Sequence, residues 1–211
     1  MDSSGEQGGR GSLARLHQFM RKLRNRVEVC ELCAKELLLD HQHLLELEHR
    51  RVLCSCDACA TLLSSGKQRY RRIPRDVERL GHFQMDEQEW SSLLIPIDLA
   101  FFVRSSAAGR IIAQYPSPAG VMESALDLEY WKPIEERNPV LCRLEPDVEA
   151  LLVNRLSGRQ RYYRAPIDRC FLLVGIMQTK WRGLSGGAEV WAAIEQFFAE
   201  LDRSCPEDQV A

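Results

Sequence analysis

Five of the eight cysteines fall between residues 30 and 59, as Cys30-x2-Cys33 followed by Cys54-x-Cys56-x2-Cys59. No other feature constrains the fold as tightly. Two C-x2-C turns converge on one tetrahedral ion, because each turn aims backbone N–H groups at its own sulfurs. Cys30, Cys33, Cys56 and Cys59 are the expected ligands. Ala60-Thr61-Leu62-Leu63 follows as a short helix, and a helix N-terminus stabilises thiolate. Cys54 is surplus and can replace Cys56. His43 can likewise displace a cysteine, giving a three-cysteine, one-histidine shell.

Zinc is the expected metal. Four thiolates in two pairs also hold a single iron or a two-iron cluster. Rubredoxin-type sites carry glycine after the second cysteine of each pair, where this chain has Ala34 and Ala60. That departure favours a closed structural zinc. A catalytic zinc needs an open position and a nearby base, and five thiols crowd the site. No pairing of acid and base elsewhere marks an active site, so no catalytic residue is assigned.

The spacer AKELLLDHQHLLELEHRRVL has helical propensity, yet a β-hairpin is expected, because a treble-clef or ribbon-like module needs one to bring the cysteine pairs together. A turn centred on His49-Arg50 pairs Glu48 with Arg51, Leu47 with Val52, Leu45 with Cys54 and His43 with Cys56, setting His43 beside the metal. The helical alternative turns His41 and His43 away from each other.

At 211 residues the chain suits a small metal-held module plus a medium domain. Residues 1–11 have the composition of a disordered tail. Leu13, Leu16, Phe19, Met20, Leu23 and Val27 recur at helical spacing after Ser12, opposite a face bearing Arg15, Arg21, Lys22, Arg24 and Arg26. The metal module spans 12–65, a linker 66–85, an α+β domain 86–204, and a second tail 205–211.

In the larger domain SSLLIPIDLAFFVR and GRIIAQYP are expected to pair as antiparallel strands around SSAAG, with Pro96 at an edge or bulge. YPSPAG ends that pair. A helix is expected over 128–137, displaced or disrupted by Pro133. DVEALLVNRL and RQRYYRAP form a second pair around Ser157-Gly158. Asp168 is positioned to cap a helix carrying Cys170, Leu172, Leu173, Ile176 and Met177. The last helix presents Val190, Trp191, Ile194, Phe197, Phe198 and Leu201 on one side. The fold class is α+β, an antiparallel sheet with helices on one face.

Charge is uneven along the chain. Residues 1–80 hold 15 basic and 11 acidic side chains, and the remainder hold 13 and 19. A basic first half permits nucleic-acid contact without demanding it, and Lys67, Arg69, Tyr70, Arg71, Arg72 and Arg75 resemble a phosphate-contacting strip. Trp181–Gly187 runs into a helix start and offers a weaker anion site. No run approaches the roughly 20 apolar residues of a membrane span. Paired cysteines without an export signal suit a reducing, cytoplasmic compartment.

The segments CELC, DHQHLLELEHRRVLCSCDACATLL, IPIDLAFFVRSSAAGRIIAQYPSPAG, LEPDVEALLVNRLSG and APIDRCFLLVGIMQTKWRGLSGGAEVWAAIEQFFAEL resemble an uncharacterised bacterial family. Its members are often encoded beside genes for [NiFe] uptake hydrogenases. The resemblance implies an accessory role in making, stabilising or wiring such an enzyme, with a hydrogenase subunit or maturation factor as partner. It brings no catalytic residue. Two other functions suit the same cysteines: an iron-containing electron carrier and a zinc-dependent nucleic-acid-binding regulator.

Overall fold

A computed structural model of the chain describes residues 28–65, 69–124 and 128–205. The expected tail 1–11, the helix over 12–27 and Lys67 lie outside the described residues. Within them, nine strands form two antiparallel sheets. The smaller comprises β1 (Gln42–Glu46), β2 (Arg51–Ser55) and β3 (Tyr70–Arg72), in the order β2-β1-β3. The larger comprises β4 (Glu78–Arg79), β5 (Leu99–Ser105), β6 (Arg110–Ser117), β7 (Gly120–Glu123), β8 (Glu149–Asn154) and β9 (Arg161–Pro166), in the order β4-β9-β8-β5-β6-β7. Helices α1 (Asp57–Ser64), α2 (Glu87–Ser92), α3 (Leu128–Arg137), α4 (Ile167–Lys180) and α5 (Gly187–Ser204) surround them.

The two central strands explain the architecture. Leu99–Val103 and Ala150–Val153 are apolar at successive positions, and every one of these side chains is wholly buried. A strand apolar on both sides must be covered on both. Leu99, Phe101, Val103, Leu152, Tyr163 and Ala165 accordingly pack against α4 and α5. Ala100, Phe102, Leu151, Val153 and Tyr162 pack on the opposite face against Trp90 of α2 and Trp131 and Ile134 of α3. Phe102 stacks on Trp131 at 4.7 Å between ring centroids, and Tyr163 on Phe198 at 5.9 Å. The α+β class holds, but the helices cover both faces rather than one.

Several expected elements move. β5 begins at Leu99, so Pro96 lies in the connection from α2 and not in a strand. α2 takes Ser91 and Ser92 because Asp86 and Glu89 form a reciprocal cap, each side chain accepting from the other's backbone N–H. YPSPAG does not end the first pair. Pro116 stays inside β6 opposite Val121, and Gly120 (φ 120°) turns the chain into β7. α3 spans 128–137 with Pro133 within it, undisplaced.

The 66–85 segment is more than a linker. From Tyr70 it supplies β3 to the small sheet, and at Glu78 it supplies β4 to the large one. Ile73 and Val77 between them enter the larger core. β1 divides its side chains between two interiors, as its period of two requires. Leu44 joins Leu53 and Ala60 in a small core, whereas Leu45 joins the core beneath α4 and α5.

The 42–55 segment is a hairpin, but its register differs by two residues from the expected one. Observed pairs are His43 with Cys54, Leu45 with Val52 and Glu46 with Arg51. Leu47–Arg50 form a four-residue loop closed by Arg50 in the left-handed region (φ 51°), in place of a two-residue turn. A slip of two preserves which face each side chain occupies, so the hydrophobic pattern does not oppose it.

Candidate metal centre

The first cysteine pair sits in a tight turn. Ala34 N–H donates to the Cys30 carbonyl at 2.8 Å, Cys30 N–H to the Lys35 carbonyl at 2.8 Å, and Leu37 N–H to the Glu28 carbonyl at 2.8 Å. Ala34 closes the turn in the left-handed region (φ 59°). Two bonds clamp this turn onto β2: Glu31 N–H to the Cys54 carbonyl at 3.0 Å, and Cys54 N–H to Glu31 Oε1 at 2.9 Å. The second pair forms the head of α1. Cys56 is its N-cap, and its sulfur accepts the Cys59 N–H at 3.5 Å.

These elements bring four sulfurs together. Those of Cys30, Cys33, Cys56 and Cys59 all lie within 4.8 Å of one another. Tetrahedral zinc with sulfur at about 2.3 Å places its ligand atoms about 3.8 Å apart. Cys33 Sγ and Cys56 Sγ are 3.7 Å apart. The set fits a metal such as zinc, with Cys30 and Cys56 buried and Cys33 at the surface.

The electrostatics suit a cation. Burial alone would raise the Cys30 thiol, but backbone hydrogen bonds from Cys56, Leu32 and Cys33 outweigh it and bring it down to about 6. Cys56 is lowered too, chiefly by the Cys59 backbone N–H. Cys59 is pushed up to about 12, because its thiol hydrogen-bonds to Cys56 and Cys33 and is partly buried. Without an ion the sulfurs share out their protons unequally. A dication draws off those that remain.

Cys54 and His43 do not join this set. The register places them opposite each other on β1 and β2, and both group with His41. Burial raises the Cys54 thiol, and Glu28 and Glu31 raise it further. Asp168, expected to cap α4, lies within its first turn behind Pro166. Its Oδ2 accepts from His43 Nδ1 at 2.7 Å. His41 was not a candidate ligand by sequence, although H-x-H on an extended chain sets both imidazoles on one side.

The 69–75 strip is held by internal partners. Arg69 pairs with Glu46 at 3.0 Å and Arg71 with Asp147 at 3.1 Å. Arg72 donates to Gln42 Oε1 at 2.8 Å, and Arg75 pairs with Asp40 at 3.0 Å. In the 181–187 turn, Arg182 donates to the Thr179 and Trp181 carbonyls at 3.0 and 2.8 Å. The cations of both segments thus have partners within the chain, although Arg69 and Arg75 stay substantially exposed. Among the described residues no helix is long and apolar enough to cross a membrane.

Neither the curated proteins nor the solved structures contain a match to this chain. A family model does match, over residues 29–205, from the first cysteine turn to the end of α5. The chain therefore belongs to the family of unknown function DUF5947.

Proposed function

We propose that this protein is a non-enzymatic, zinc-stabilised accessory protein that acts by contact with another protein, in the maturation or stability of a [NiFe] hydrogenase. The observation that carries the zinc assignment is the sulfur tetrad, whose 3.7 Å Cys33–Cys56 separation matches tetrahedral thiolate coordination. Four protein ligands close the shell and leave no position for substrate. Turn, hairpin and helix follow one another in the order of a treble clef, with the turn and the helix head each supplying two ligands, and we assign the module to that class.

The contact role is supported by apolar side chains on the outside of the module. Leu38 and Leu39 are 81% and 102% exposed, and Leu62 on α1 is 75% exposed. The hydrogenase partner rests on the sequence resemblance alone. A cytoplasmic location follows from thiolate ligands, which a reducing compartment preserves.

Elemental analysis and an absorption spectrum of protein purified without added metal test the zinc reading. The expected result is a colourless, zinc-containing chain whose metal is lost in Cys56→Ser. An iron content with a visible band replaces the reading with an electron carrier, which the backbone hydrogen bonds onto Cys30 and Cys56 also suit. For the partner, tagged protein is expected to retain hydrogenase subunits from cells expressing that enzyme, and Leu38→Asp with Leu39→Asp to release them. Failure of the unaltered chain to retain any subunit removes the hydrogenase assignment.

A further inference from the structure

A second ligand-bearing cluster lies beside the tetrad and shares none of its residues. One ligand atom each from His41, His43 and Cys54 lies within 4.8 Å of the others. The two imidazole rings meet edge to face at 4.9 Å between centroids. His43 and Cys54 are direct cross-strand partners, so both project from the same side of the hairpin.

The hydrogen bonds fix the chemistry of the rings. His41 Nδ1 is 2.9 Å from the Leu38 carbonyl, and His43 Nδ1 is 2.7 Å from Asp168 Oδ2. Carbonyl and carboxylate oxygens only accept, so each Nδ1 carries a proton, and in the neutral ring, the form that binds a metal, Nε2 holds the lone pair. His41 has only 8% of its side chain exposed, and its buried Nε2 has no hydrogen-bond partner among the described residues. Such an orphan acceptor is destabilising unless something binds it. Glu28, with Oε2 3.4 Å from His41 Nδ1, and Glu31, whose charge acts on Cys54, join Asp168 in making the surroundings negative.

We propose that His41, His43 and Cys54 form a second metal site, for a borderline d-block dication of the zinc class, bound through two imidazole Nε2 atoms and one thiolate. The Leu38 carbonyl and Asp168 are its positioning groups, holding each ring with Nε2 toward the ion as the outer partners of metal-bound histidines do. Three protein ligands leave a fourth position for water or another exchangeable ligand, in contrast to the closed sulfur tetrad. The site spans the hairpin and, through Asp168, the head of α4. An ion there ties the metal module to the larger domain.

Metal-free full-length protein titrated with Co2+ distinguishes the two sites. The expected result is two equivalents per chain, the first with a four-sulfur spectrum and the second with one sulfur charge-transfer contribution. His43→Ala and Cys54→Ser are each expected to bind a single equivalent with the four-sulfur spectrum unchanged. Asp168→Asn is expected to weaken only the second equivalent, by about 10- to 100-fold. In the unaltered chain, the Nε2 resonances of His41 and His43 should move with the second equivalent of Zn2+ alone, a readout that needs no variant to fold. Saturation at one equivalent with a four-sulfur spectrum overturns the proposal. So do two equivalents retained in both variants, or histidine resonances that ignore the metal. Binding that survives Cys30→Ser but disappears in His43→Ala would uphold this site while removing the zinc tetrad.

Discussion

Replacing Cys30 by serine separates two interiors that share a strand. Cys30 is 1% exposed and contributes one of four sulfurs. Structural zinc binding is worth about 10–16 kcal/mol in small modules, comparable to or larger than the whole stability of a typical domain. Without the ion, the small core among the described residues has only Leu44, Leu53 and Ala60 fully buried, with Leu32 and Tyr70 packed against them. That is too little to order the cysteine turn and α1 against their conformational entropy. The neighbouring segments are held otherwise. Leu45, Ile73 and Val77 are buried in the larger core, and at roughly 1.5–3 kcal/mol each they contribute about 5–9 kcal/mol that needs no metal.

The expected result is therefore selective. Cys30→Ser, or a chelator on the unaltered chain, releases the amides of Cys30, Ala34, Ala60 and Leu37 to rapid hydrogen exchange. Those of Phe101, Leu152 and Tyr163 stay protected, and Leu45 keeps part of its protection. Hydrogen exchange read by NMR or by mass spectrometry of peptides resolves these segments. Unchanged protection at Cys30 and Ala34 after complete metal removal would show that the ion does not hold the turn. Collapse of the whole chain in one step would refute the separate accounting of the two cores.

Three further outcomes follow from local geometry. Ala34→Gly is expected to stabilise the metal module by about 0.5–1 kcal/mol, because relief of a left-handed alanine at roughly 1–2 kcal/mol exceeds the added chain entropy of glycine at roughly 0.5–1; a lower melting temperature for the metal-loaded variant would contradict this. Gly186→Ala is expected to destabilise the start of α5, since its φ is 86° and a Cβ would lie 2.9 Å from Trp181 Cε3 and from Val190 Cγ1; thermal melts check it, and an unchanged melting temperature would be the contrary result. Glu46 is held below its ordinary value of 4.5, first by the Arg69 hydrogen bond against the opposing effect of burial, with His49 helping. Its contribution is complete above that value and disappears as pH falls through the lower folded-state value, so Glu46→Gln should flatten acid unfolding of the small sheet below about pH 4.5, measured by tryptophan-independent circular dichroism or exchange at β1.

The cysteine tetrad was legible as two C-x2-C pairs, but spacing left Cys54 and His43 as possible substitutes, and only the fold groups them with His41 instead. So were both hairpins of the large sheet, whose apolar runs flank turns rich in glycine, serine and alanine. Coverage of both faces was written in LAFFV and EALLV, which do not alternate, and the one-face expectation overlooked it. The hairpin register was not legible. Arg50 adopts the left-handed region without glycine or asparagine to announce it, so a two-residue turn looked equally good. Asp168 carried the local signature of a helix cap, but its partner His43 is 125 residues away in sequence, and that contact decides where its carboxylate points. β7 was hidden behind Pro116 and Pro118, which suggested a stop where the sheet has an edge.

β1 sends Leu44 to one side and Leu45 to the other, and this alternation fixes more than packing. The cysteine-bearing unit cannot swing like a bead on a tether, because turning it would pull Leu45 from the neighbouring interior. A binding partner that touches the exposed leucines and the large domain together thus meets a surface whose shape is set beforehand. Little freedom is left to surrender on association, which favours tight contact from a modest area.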